Sequence, residues 1–243
     1  MAVQGTIVTL GGGGFSMSDD GTSAMDDFLI ELTGRAMPKV CFVPTASGDS
    51  FDYSTRFETA FAGRAATSVL SLFGNWRTGY ADPSMLLEQD LIYVGGGSTA
   101  NLLAIWRLHG IPEILRAAAA RGVVLAGISA GMNCWFEGSS TDSFGTLAPL
   151  GDGLGFLSGS ACPHYLGEQG RREMYLDWVG AGALPEGYAA DDFTAVVWRD
   201  GEFVEAVSEQ QGKSVFRVER RDGAGIEHEI AVRRLPSTRG STA

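Results

Sequence analysis

Residues 122–131 read "GVVLAGISAG", an uncharged apolar run from Val123 to Ile128 followed by Ser129, with Gly127 two positions before it and Gly131 two positions after. A continuous apolar run ending in glycine fits a strand buried on both faces, as in a parallel sheet covered by helices. The pattern G-x-S-x-G directly after such a strand is that of a strand-to-helix elbow. There the serine takes a strained backbone conformation, its neighbours must be small, and its hydroxyl is lifted to the sheet edge. The plain alternative is a glycine-rich core turn carrying an incidental serine.

Working outward, the same kind of run recurs in "TIVTLGGGG" (6–14), "KVCFVPTAS" (39–47), "ATSVLSLFG" (66–74) and "DLIYVGGGS" (90–98). Segments of helical spacing lie between the strands. "AMDDFLIELTG" (24–34) places Met25, Phe28, Leu29 and Leu32 on one face and stops at Gly34. "STANLLAIWRLHG" (98–110) opens on a Ser/Thr cap, and "IPEILRAAAARG" (111–122) carries Pro112 near its start and Gly122 at its end. Strands alternating with helices predict an α/β fold: a three-layer, doubly wound, mostly parallel sheet. Ligands collect at the carboxyl ends of such strands, and the glycine-rich exits at 11–14, 95–97 and 127–131 fall on that edge.

After about residue 186 the pattern changes. "DDFTAVVWRDGEFVEAV" (191–207) and "KSVFRVERRDGAGIEHEIAVRRL" (213–235) each contain an Asp-Gly between strand-like runs, a strong hairpin signal. They predict a C-terminal antiparallel extension on one α/β domain spanning 1–235, with a flexible tail at 236–243.

Composition narrows the function. The chain has 243 residues, 44% of them hydrophobic, and a net charge of -11. That balance argues against a nucleic-acid backbone or an anionic membrane as partner, since both need clustered Lys and Arg. The start lacks the features of a secretory signal, and no apolar run reaches spanning length. Cys41, Cys134 and Cys162 are odd in number and lie in no metal-binding spacing, so they read as free thiols of a cytoplasmic protein. No metal or cofactor is expected.

A serine nucleophile needs a base. Of three histidines, His109 closes a helix and His228 sits among charges in the final hairpin; His164, in the loop of "SACPHYLGEQG", is the candidate on the strand-end edge. A carboxylate must hold the imidazole tautomer. Asp191 stands first, Asp192 second and Asp142 third. Asp191 and Asp192 open a predicted strand, so their side chains point to opposite sides and only one can reach His164.

With Ser129, "GGGS" at 95–98 and "CPHY" at 162–165, the chain resembles the peptidase E family of serine peptidases, which includes aspartyl dipeptidases and cyanophycinases. The likeness is most specific over about residues 90–200. It implies a class I glutamine amidotransferase-like fold, with Ser129 as nucleophile, His164 as base, and Asp191 where these enzymes carry their acid, often a glutamate. Some descriptions of the family favour an aspartate soon after the serine, here Asp142. The order Ser, His, acid separates this pattern from α/β-hydrolases, which run Ser, acid, His. The resemblance further implies an oxyanion hole from Ala130 N–H and the 95–97 loop (Gly96, Gly97). It implies a carboxylate clamp from Arg172 or Arg171, Arg172 being the better match, and a homodimer is common among such enzymes. The implied activity is hydrolysis of short peptides, Asp-X dipeptides first, with a broader aminopeptidase or an isoaspartyl or cyanophycin-type peptidase as alternatives.

Three rivals make different demands. An esterase requires an apolar acyl pocket and His228 as base. A catalytically silent binding module of the same fold requires neither. A nucleotide-binding domain would need G-x-G-x-x-G or a Walker lysine, and neither motif is present.

Overall fold

The computed structural model describes residues 3–74 and 79–236. Its first half is a run of parallel strands and crossing helices: β1 (Thr6–Leu10), α1 (Ala24–Leu32), β2 (Lys39–Val43), α2 (Phe51–Phe61), β3 (Ala66–Val69), β4 (Leu91–Val94), α3 (Thr99–Leu108), α4 (Ile111–Ala120) and β5 (Val124–Ile128). The strands pair in parallel in the order β3-β2-β4-β5-β1.

Alternation along these strands accounts for the layers. Val40, Phe42, Leu91, Tyr93, Val124 and Ala126 pack with Met25, Phe28 and Leu29 of α1 and Phe57 and Phe61 of α2. The intervening Cys41, Val43, Ile92, Val94 and Leu125 pack with Leu102, Leu103 and Trp106 of α3 and Leu115 of α4. Strand period 2 therefore feeds both faces of one sheet, and each fully buried aliphatic or Phe side chain contributes about 1.5–3 kcal/mol. The helix ends follow the expected chemistry. Ser23 Oγ accepts from Met25 N–H and Asp26 N–H, and Ser98 Oγ accepts from Asn101 N–H. His109 closes α3, its ring Nδ1 3.2 Å from the Tyr80 hydroxyl.

Beyond Ser129 the chain leaves the main sheet. The short helix α5 (Ala130–Asn133) leads to β6 (Phe136–Thr141), β7 (Ala148–Leu150), β8 (Leu157–Cys162), α6 (Arg171–Ala181) and β9 (Gly187–Ala190). Then follow β10 (Thr194–Arg199), β11 (Glu202–Ser208), β12 (Val215–Arg221), β13 (Ala224–Ile230) and β14 (Val232–Arg234). Strands β10, β11 and β14 extend the main sheet to the order β14-β11-β10-β1-β5-β4-β2-β3, and a second sheet forms in the order β13-β12-β9-β8-β6-β7.

Both Asp-Gly turns are present, with positive φ at Asp200 (53°) and Gly201 (83°) and at Asp222 (52°) and Gly223 (81°), the backbone that type I′ hairpins require. The expected extension divides. The β10–β11 hairpin pairs antiparallel with β1, while β12–β13 joins the second sheet. Residues 191–193 form a turn instead of the predicted strand start. The expected tail lies, after Pro236, outside the described residues. Among the described residues no helix is long and apolar enough to cross a membrane. The three cysteines are free and buried, and burial pushes the Cys41 and Cys162 thiols up to about 12.

Candidate active site

Ser129 joins β5 to α5 with φ 57° and ψ -112°, a conformation that costs a non-glycine residue about 1–3 kcal/mol. The turn is tight enough to forbid side chains beside it. A Cβ on Gly127 would stand 2.2 Å from the Gly131 carbonyl oxygen, and one on Gly131 would stand 2.4 Å from that of Val94. Ser129 N–H is held by Leu10 O at 3.1 Å. The elbow opens on a cavity of about 370 Å³ lined by Gly97, Thr99, Ser129, Ala130, Asn133, Asp142, His164, Glu168 and Arg171, with a few neighbouring small residues.

His164 enters this cavity from the loop after β8. Its N–H donates to Gly11 O at 3.2 Å, and its backbone φ is 53°. Its Nδ1 lies 2.6 Å from Asp192 Oδ1. An ionised carboxylate only accepts, so Nδ1 carries the proton and Nε2 is the basic nitrogen. Partial burial pushes the Asp192 carboxyl up. The hydrogen bond and charge of His164, followed by the charges of Lys213 and Arg171, outweigh it and hold the group below its ordinary value. Among the described residues Ser129 Oγ makes no hydrogen bond to the imidazole; such contacts often tighten only with substrate.

The partner of the imidazole is thus Asp192 and not Asp191. Asp191 is 3% exposed and turns the other way, accepting from Leu166 N–H at 2.8 Å and Ser214 N–H at 3.3 Å. It ties the His164 loop to the start of β12. Asp142, the third candidate, lines the cavity but makes no hydrogen bond to His164. Two glycines shape the slot for Asp192. A Cβ on Gly12 would stand 2.1 Å from Asp192 Oδ1, and one on Gly167 would stand 2.4 Å from Oδ2.

The expected oxyanion donors separate. Ala130 N–H opens a helix, where the first amides have no intrahelical partner, and Ala130 and Gly97 both line the cavity. Gly96 does not; its N–H donates to the Tyr53 hydroxyl at 3.4 Å, and that hydroxyl lies 2.6 Å from Ser16 Oγ. Tyr53 behind the loop turns the peptide away.

The arginines also exchange roles. Arg172 stacks its fork on Glu227, with Nε 3.1 Å from both carboxylate oxygens, and does not line the cavity. Arg171 is 3% exposed and lines it. The reason is helical geometry: consecutive residues on α6 point about 100° apart, so one arginine faces the site and the other faces β13. Arg171 Nε donates to Glu168 Oε2 at 2.8 Å, Nη2 reaches the same oxygen, and Nη1 lies 3.4 Å from Ser140 Oγ. Glu168 and Asn133 also line the cavity, and the sequence pattern does not single them out. The available signal is the closeness of opposite charges at 168 and 171, around the start of α6.

Comparison with known proteins gives the family. Residues 7–206 match peptidase family S51. The chain is 46% identical over 231 residues to the "Uncharacterized peptidase YgaJ" of Bacillus subtilis (strain 168), covering 95% of this chain and 96% of that protein. It is similar in fold to a peptidase from an acI-B1 Actinobacterium (TM-score 0.68, 17% identity, 95% of each chain covered). It is also similar to a putative peptidase E protein from Listeria monocytogenes EGD-e (TM-score 0.59, 19% identity, 84% of this chain and 98% of that one covered). The chain therefore belongs to peptidase family S51 and is a serine-type peptidase.

Proposed function

We propose that the protein hydrolyses short peptides through Ser129, His164 and Asp192, with Asp-X dipeptides as its first substrate class. The observation that carries this reading is the shared cavity. A serine on a strained elbow and an imidazole whose Nδ1 is tied to a carboxylate line the same small, polar space. In this mechanism His164 Nε2 takes the Ser129 proton as Oγ attacks the scissile carbonyl, and Asp192 steadies the imidazolium. Ala130 N–H and Gly97 N–H stabilise the oxyanion. The imidazolium then protonates the leaving amine, and water repeats the sequence on the acyl-enzyme.

Arg171 supplies the counter-charge for an acidic first residue. Glu168 sits on it, and the Glu168 side chain, 49% exposed, can swing aside. One observation favours a second reading. If Glu168 stays on Arg171, the cation is neutralised and the enzyme is a broader exopeptidase. The esterase alternative loses its footing, because the cavity lining is polar and His228 lies on β13, 3.8 Å from Glu219.

A fluorophosphonate probe tests the chemistry: the adduct is expected on Ser129 and is expected to vanish in His164→Ala. Rates on Asp-Leu, Glu-Leu, Leu-Leu and β-Asp-Leu then separate the two specificities. Equal rates on Asp-Leu and Leu-Leu would remove the acidic preference.

A further inference from the structure

The first glycine loop touches both partners of the imidazole–carboxylate pair. Gly11 O accepts from His164 N–H at 3.2 Å, and Gly12 O accepts from Phe193 N–H at 3.0 Å, one residue beyond Asp192. A Cβ on Gly12 would stand 2.1 Å from Asp192 Oδ1, the oxygen that meets His164 Nδ1. A displacement of this loop is therefore passed to the carboxylate and to the imidazole.

A methionine sulfur holds the same loop. The chain folds back through a short 3-10 turn at Gly14–Ser16, so that Met17 N–H donates to Gly14 O at 3.2 Å and Met17 Sδ accepts from Gly13 N–H at 3.1 Å. The same sulfur would stand 3.1 Å from a Cβ on Gly12, so Sδ and Asp192 Oδ1 crowd one side of that residue. Met17 is also open to solvent: it is 41% exposed and lines a cavity of about 460 Å³ with Ser18, Phe193 and Glu209. Met37 and Met174 are exposed as well, but among the described residues only Met17 accepts a backbone N–H through its sulfur. The three cysteines are buried, which shields the competing thiols from oxidants.

Resting on the proton relay assigned above to Asp192, we propose that Met17 is an oxidation site through which a hydroperoxide slows the enzyme reversibly. The sulfur lone pair attacks one peroxide oxygen, the O–O bond breaks, and the transferred oxygen gives its proton to the departing one. Sulfur is oxidised by two electrons to the sulfoxide, and hydrogen peroxide is reduced to water. The product is polar where the thioether was apolar. A sulfoxide oxygen and an ionised carboxylate both only accept, so no hydrogen bond can join the new oxygen to Asp192 Oδ1, and the two repel. The added atom also enters a space with no room for a Cβ on Gly12, which moves the glycine loop and Asp192 away from the geometry that steadies His164.

The test follows the rate at which a fluorophosphonate labels Ser129 before and after limited hydrogen peroxide, with peptide mass locating each added oxygen. Conversion of Met17 is expected to slow labelling about 10- to 100-fold, the scale of a small misplacement near the reacting groups, with little change in melting temperature. Methionine sulfoxide reductases are expected to restore the rate. Met17→Leu is expected to keep its own rate after peroxide, whatever that rate is, whereas Met37→Leu and Met174→Leu stay sensitive. Met17→Gln, which carries an oxygen acceptor without oxidation, is expected to start slow and to ignore peroxide. An unchanged rate with Met17 fully oxidised overturns the proposal alone. So does a Met17 that is spared while Met37 and Met174 are oxidised, or a sensitivity that persists in Met17→Leu. A reduced parent that the probe does not label overturns the relay and this proposal together.

Discussion

Asp191 and Asp192 are adjacent in the chain and serve opposite ends of one loop: Asp192 Oδ1 lies 2.6 Å from His164 Nδ1, while Asp191 Oδ1 lies 2.8 Å from Leu166 N–H. One carboxylate orients the imidazole. The other anchors the loop that carries it.

Exchange of the two aspartates therefore separates catalysis from stability. Asp192→Asn is expected to lower kcat by about 10³- to 10⁴-fold with a small change in melting temperature, because the amide no longer favours the Nδ1–H tautomer. Asp191→Asn leaves a buried pair of backbone donors poorly satisfied and is expected to destabilise the fold by about 1–3 kcal/mol. Steady-state rates and thermal melts on the same two variants check both expectations, and equal kinetic losses would contradict the assignment.

The glycines that border Asp192 give a second test without touching a charged group. Gly167→Ala brings a methyl carbon to 2.4 Å from Asp192 Oδ2, so the carboxylate must move. Positioning errors of this size commonly reduce rate by about 100-fold. The expected result is a loss of kcat on every peptide with KM little changed. Unaltered kcat would overturn the role given to this slot.

Arg171 and Arg172 differ in what their loss removes. Arg171→Met is expected to raise KM for Asp-Leu about 10- to 100-fold while affecting Leu-Leu far less. Arg172→Ala breaks a partly exposed pair with Glu227, and is expected to leave specificity intact and cost about 0.5–1 kcal/mol of stability. A dipeptide panel on both variants decides the matter; a selective effect from Arg172→Ala would reverse the roles.

A buried carboxyl outside the Ser129 cavity sets a pH dependence of stability. Asp26 on α1 is fully buried. Burial first, and then the charge of Glu209, push it up to about 8, against the opposing pull of Arg64. Glu209 also gathers Gly14 N–H and the Ser23 hydroxyl at the end of the first glycine loop. In the unfolded chain Asp26 ionises near 4, so between about pH 4 and pH 8 the unfolded state binds fewer protons and stability falls as pH rises. The slope is up to about 1.4 kcal/mol per pH unit. Asp26→Asn is expected to flatten it, whatever its effect at low pH, and denaturant melts from pH 5 to pH 9 measure the difference.

Much of this architecture was legible along the chain, for local reasons. Strands β1, β4 and β5, and β2 after Lys39, announced themselves because a strand buried on both faces tolerates no charge, and the elbow because Gly127 and Gly131 leave no room for a Cβ. Ser23, Ser98 and the two Asp-Gly pairs act on their immediate neighbours, so their caps and turns follow from short-range chemistry. The second sheet did not show itself. Strands such as "FEGSST" (136–141) and "LSGSAC" (157–162) are rich in serine and glycine, and such segments become strands by pairing with distant ones, not by their own preference.

Distance in space decided the remainder of the site. Which of two neighbouring aspartates meets His164, which of two neighbouring arginines enters the cavity, and which glycine amide is diverted to Tyr53 all depend on where other elements lie. The chain alone names the reactive types and confines each choice to adjacent positions. A rotation of about 100° per helical residue, or a reversal of direction within a turn, then selects between them, and only the packing of α2, α6, β12 and β13 around the strand ends supplies it.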